Sequence, residues 1–65
     1  MTKEDVLDKV ERIRKSSGDN EIAHSMEDVL YLDVLKEIAL GAENGRELAE
    51  AALEASNIDF DRWYA

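Results

Sequence analysis

Apolar residues recur at helical spacing in three separate runs, and the breaks between them are Ser16-Ser17-Gly18 and Gly41. Spacings of three and four put one face of each run against a common core, the pattern of a helix rather than a strand. No proline interrupts any run, and the chain has no cysteine. Disulfides, thiolate nucleophiles and zinc–thiolate sites are thereby excluded. At 65 residues the chain is one domain. A domain of about 60 residues buries only about 60% of its unfolded surface, so help from a partner, a second copy or a metal is expected.

Thr2 precedes Glu4 and Asp5, a cap followed by acids where the helix dipole favours them. Val6, Leu7, Val10 and Ile13 form the apolar stripe of a first helix over about 3–16, and Gly18 is available for the left-handed residue that ends it. The second helix must cover Met26 to Ala39, and its start is open. Ser25 with Asp28 reads as a capping box, starting the helix at 26; Asp19 or Asn20 would equally cap a longer one from 20. Either version ends near 40, at Gly41. Asn44, with Glu47 as its reciprocal cap, opens a third helix over about 45–56. Its expected inner stripe is Leu48, Ala49, Ala52, Leu53 and Ala55, and Asn57 ends it. Asp59 would cap a last turn over 60–64, with Phe60, Trp63 and Tyr64 on one face. The expected fold class is all-α: a small three-helix bundle with a short C-terminal helical turn carrying aromatics.

Eight basic against sixteen acidic side chains leave a net charge of −8. Residues 1–17 balance at +1 and residues 18–65 at −9. That balance excludes a protein that holds nucleic acid by neutralising its phosphates. No apolar run reaches the roughly 20 residues of a membrane span, and the N-terminus lacks the apolar core of a signal peptide. The expectation is a soluble, cytoplasmic protein. Glu43, Glu47, Glu50 and Glu54 run up one side of the third helix, with Arg46 alone to offset them.

One constellation suggests chemistry: Glu21, His24, Glu27 and Asp28. On a helix that reaches back to Glu21, all four continue the face marked by Tyr31, Val34, Leu35 and Ile38. Three readings compete for them. They form a solvated helix start; or a polar network of His24 with Asp28 or Glu21, closing on Arg62 or Trp63; or a site for manganese, iron or magnesium. Apart from that metal, no cofactor is expected. Gly18, Gly41 and Gly45 are isolated stops, not a phosphate-cradling loop, and no serine has the neighbours of a nucleophile. No catalytic residue is assigned, and the balance leans away from an enzyme.

The segments His24-x-x-Glu27-Asp28, Val34-Leu35-x-x-Ile38-Ala39-x-Gly41 and Ile58-Asp59-Phe60-x-Arg62-Trp63-Tyr64 resemble a type of short acidic protein from bacteriophage and prophage genomes. The resemblance covers roughly residues 19–65. It implies an accessory protein that binds and modulates a host or defence protein. The acidic helices suggest a mechanism, imitation of a phosphate array as in DNA-mimic inhibitors, some anti-CRISPR proteins among them. Asp33, Glu37, Glu43, Glu47, Glu50 and Glu54 are the candidate contacts, with Arg62 and Trp63 as an aromatic anchor. The alternatives are a carboxylate–His metal-binding protein, acting as a metal-dependent hydrolase when oligomeric, and a homodimerisation module with the Ala-rich third helix at its interface.

Overall fold

A computed structural model describes residues 1–62. Three helices, α1 (Lys3–Lys15), α2 (Asn20–Ala39) and α3 (Gly45–Leu53), pack against one another, and α3 runs on into a 3-10 turn, Glu54–Asn57. There is no strand among the described residues. The all-α three-helix bundle is as the sequence leads one to expect.

The caps explain where the helices begin and end. At α1 the Asp5 amide donates to Thr2 Oγ1 at 3.2 Å and the Thr2 amide donates to Asp5 Oδ2 at 2.9 Å, a reciprocal capping box. The Thr2 amide, and after it the Thr2 side chain, hydrogen-bond the ionised carboxylate and hold the Asp5 carboxyl below its ordinary pKa. The open start of α2 resolves in favour of Asp19, whose side chain accepts from the Ile22 amide at 3.1 Å. Ser25 lies inside the helix, so the capping box at Ser25–Asp28 does not form. Gly41 ends the region as expected, at φ +94°. The Ala42 amide reaches back to the Glu37 carbonyl and the Gly41 amide to the Ile38 carbonyl, the two bonds of a Schellman ending.

Other local expectations fail for identifiable reasons. Gly18 does not take a positive φ; α1 closes instead through Ser16, whose amide bonds to the Arg12 and Ile13 carbonyls. Asn44 makes no side-chain cap. Its Nδ2 donates to the Met1 carbonyl at 3.1 Å, tying the two ends of the bundle's lower edge. Gly45 is not a stop but the first residue of α3. A Cβ there would sit 3.2 Å from Ile38 Cγ1, so glycine permits the close approach of α3 to α2. The turn expected over 60–64 is not helical through Arg62, and its remaining residues, Trp63 and Tyr64, lie outside the described residues.

The core is Val6, Val10 and Ile13 of α1; Ala23, Leu30 and Val34 of α2; Leu48, Ala51 and Ala52 of α3; then Ala55, Ile58 and Phe60. Alanines on α3 allow its backbone to approach the other helices closely. Ala51 and Ala52 are buried among them, while Ala49 is half-buried. Leu53, placed by its spacing in that inner stripe, is exposed instead, and Ala51 takes its place. The largest departure is the rotation of α2. Of the four residues expected to mark its buried face only Val34 is buried, while Leu35 is 62% exposed. The face turned inward is centred on Ala23, Glu27, Leu30 and Val34, about 60° round the helix from the expected one at ~100° per residue.

This rotation predicts opposite outcomes for two leucines two residues apart. Leu30→Ala should cost about 2–5 kcal/mol in urea unfolding, as a core truncation does. Leu32→Ala should change stability by less than about 0.5 kcal/mol, as at an exposed site.

Candidate functional site

Two features stand out: a buried ion pair that fastens the C-terminal segment, and an apolar surface on the opposite side of the same helix.

Glu27 is the buried charged residue of the core, 5% exposed. Arg62 meets it with a two-pronged contact, Nε to Oε1 at 3.0 Å and Nη2 to Oε2 at 2.8 Å. The same guanidinium donates to three backbone carbonyls: Nη1 to Phe60, and Nη2 to both Ala55 and Ile58, each at 3.1 Å. It also lies 3.9 Å from the centroid of the Phe60 ring. The planar fork of arginine suits this set of acceptors, and lysine could not reproduce it. One side chain thus gathers the 3-10 turn and the following segment onto α2. The Asp61 amide adds a bond to Asn20 Oδ1 at 3.2 Å.

These contacts decide most of the residues proposed from the sequence. Glu27 uses both carboxylate oxygens on Arg62. Glu21 is exposed, and His24 Nε2 lies 3.6 Å from Asp28 Oδ1 at the surface edge. Among the described residues no group of three or more His, Asp or Glu side chains could hold a metal ion. The four residues therefore do not converge as ligands for manganese, iron or magnesium. His24 and Asp28 adjoin one another, Glu27 closes on Arg62, and Glu21 stands in solvent. Arg62, proposed as a partner contact, serves the fold. Trp63 lies outside the described residues. Sequence contained a signal for the clamp: Arg62 is the one base after Arg46, and Glu27 shares a helix side with Leu30 and Val34.

Tyr31 borders this network. Its burial, and secondarily the nearby Glu27 carboxylate, push its hydroxyl pKa above the ordinary 10.0.

Of the proposed acidic contacts, Glu43, Glu47, Glu50 and Glu54 are all exposed, Glu47 and Glu50 on α3, Glu43 in the turn before it and Glu54 in the 3-10 turn after it. Arg46 pairs with Glu50 at 3.1 Å. Asp33 and Glu37 differ from these four. Asp33 is half-buried and lines a cavity of about 220 Å3 between α1 and α2, with Lys9 and Arg12 at its rim. Glu37 stands 3.8 Å from the Met1 ammonium.

Sequence reading did not mark the outer side of α2 as exposed, and it placed Leu35 in the buried face. Val29, Leu32 and Leu35 stand on this side at three-residue spacing and are 56%, 51% and 62% exposed. Ile22 extends the apolar surface toward the helix start. At the other end Leu35 and Ile38 join Tyr31, Ala49 and Leu53 around an apolar groove of about 200 Å3 between α2 and α3. A helix that is apolar on every side is ordinarily buried on every side. Here one side faces out.

Comparison with protein-family models, with curated proteins and with solved structures gives no match. No helix among the described residues is long and apolar enough to cross a membrane, so the exposed row of α2 is not a spanning segment.

Removing either member of the clamp should expose its consequence. Arg62→Ala or Glu27→Ala should cost about 3 kcal/mol, since each strands a desolvated partner. Glu27→Leu combined with Arg62→Met should recover most of that loss in the same unfolding measurement. Tyr31 gives a second test, read by ultraviolet absorbance. It should ionise above pH 10, and Tyr31→Phe should remove that late step. Because its proton is held more tightly in the folded state, the associated stability is full below pH 10 and is lost as pH rises through the folded value.

Proposed function

We propose that this chain is an interaction protein, which acts by docking onto other protein surfaces rather than by chemistry of its own. The observation that carries the reading is the outer row of α2. Contiguous apolar surface on a small domain marks a contact site, and here it combines a ridge with an adjoining groove. Val29, Leu32 and Leu35 stand outside the buried core of the bundle.

The carboxylates on α3 shape what such a partner would look like. Glu43, Glu47, Glu50 and Glu54 favour a partner with a basic surface, a groove that otherwise receives nucleic-acid phosphates included. This agrees with the resemblance to phage accessory proteins that bind host or defence proteins in the cytoplasm. Charges exposed in this way act mainly on encounter rate and are screened at high salt. The apolar row supplies the part of the affinity that salt does not remove.

The test is a photo-crosslinking residue placed at Leu32, and separately at Arg14 as a control on the exposed side of α1, in cells that express the protein. Position 32 should give discrete adducts heavier than the chain, and position 14 should not. Equal labelling at both positions, or none at 32, would contradict the reading. For any complex so captured, reversing Glu47 and Glu50 to lysine should slow association at low salt and matter little at high salt.

A further inference from the structure

We propose that the outer row of α2 pairs with the same row of a second copy, antiparallel, about a two-fold axis at Leu32. The inference rests on the reading of that row as an interaction face and names its occupant.

The argument is the self-complementarity of one helix surface. In an antiparallel pair centred on Leu32, each residue lies level with the residue equally far beyond the centre on the other copy. Leu32 then meets its own symmetry mate, and Val29 comes level with Leu35. Asp28 comes level with Lys36, and Ser25 with Ala39. Apolar residues therefore meet apolar ones at the centre. A carboxylate meets an ammonium on either side of them, and two small residues meet where the helices continue past each other. This is the isologous arrangement a two-fold dimer requires, with each contact occurring twice.

Charge selects the direction. Lys36 is the one basic residue of α2 other than His24, against five acids. A parallel pairing in register would set Asp28 on Asp28 and Lys36 on Lys36, a like-charge juxtaposition that opposes association. Both side chains are available, since Lys36 is exposed and the Asp28 side chain is 63% exposed beside His24. The remaining acids of α2 do not stand in the seam. Glu27 is held by Arg62, Asp33 and Glu37 lie toward α1 and the N-terminus, and Glu21 lies beyond the paired apolar stretch. Glu50 of α3 and Glu54 of the 3-10 turn are exposed to solvent. Their repulsion between copies is confined by a Debye length of about 8 Å at physiological salt.

The experiment is sedimentation equilibrium of the intact chain from micromolar to millimolar concentration. The expected result is a mass that rises from one chain to two and stops there. Leu32→Asp should leave the monomer folded by circular dichroism and abolish the rise. Asp28→Lys and Lys36→Asp should each weaken the dimer at least about fivefold, there being two such pairs, and the double swap D28K/K36D should restore it. A wild-type chain that stays monomeric, or a double swap as weak as the single ones, would overturn the proposal. If the chain is monomeric while the crosslinker at position 32 still yields adducts, the face stands and its occupant is another protein. If both fail, the interaction reading falls with it.

Discussion

A helix of 20 residues with apolar side chains all round its circumference cannot be covered by a partner bundle of only two short helices. That mismatch between α2 and the rest of the chain governs the structure. One side must be chosen for the interior, and the choice is made by the fit of Ala23, Leu30 and Val34 against α1 and α3. Arg62 secures it by clamping Glu27 from the far end of the chain. The other side, with Val29, Leu32 and Leu35, is left facing water. The fold and its surface for contact are therefore two outcomes of one constraint.

The clamp also accounts for how so short a chain closes its core without a disulfide. Ile58 and Phe60 are buried, and the segment bearing them is held to α2 by Arg62. Arg62 does this by satisfying three backbone carbonyls as well as the buried carboxylate, so few polar groups in that turn are left to solvent alone. A buried ion pair contributes modestly to net stability, but losing half of one is costly. Its value here lies in fixing which side of α2 is inside.

Local signals were legible in the sequence and long-range ones were not. Thr2 with Asp5, Asp19 as one of the caps open to α2, and Gly41 each act within a few residues, and the structure uses them as capping chemistry dictates. The rotation of α2 depends on residues that compete on equal terms by periodicity: Leu30 and Leu32, Val34 and Leu35. Hydropathy cannot rank them when both sides are apolar. Likewise Asn44 gives up its cap for the Met1 carbonyl, and Gly45 makes room for Ile38; neither contact has a local signature. The proposed metal ligands illustrate the same point. Glu21, His24, Glu27 and Asp28 share a helix segment, but Arg62, 35 positions from Glu27, decides what Glu27 does.

Because the chain has no cysteine of its own, single cysteines can report each side of α2 directly. The decisive measurement is the rate of thiol labelling at Leu30→Cys and Leu32→Cys, followed over protein concentration. The account predicts that position 30 reacts only through unfolding at every concentration. Position 32 should react freely in dilute protein and become protected as the concentration rises. Equal rates at the two positions, or a position 32 already shielded in dilute protein, would contradict it.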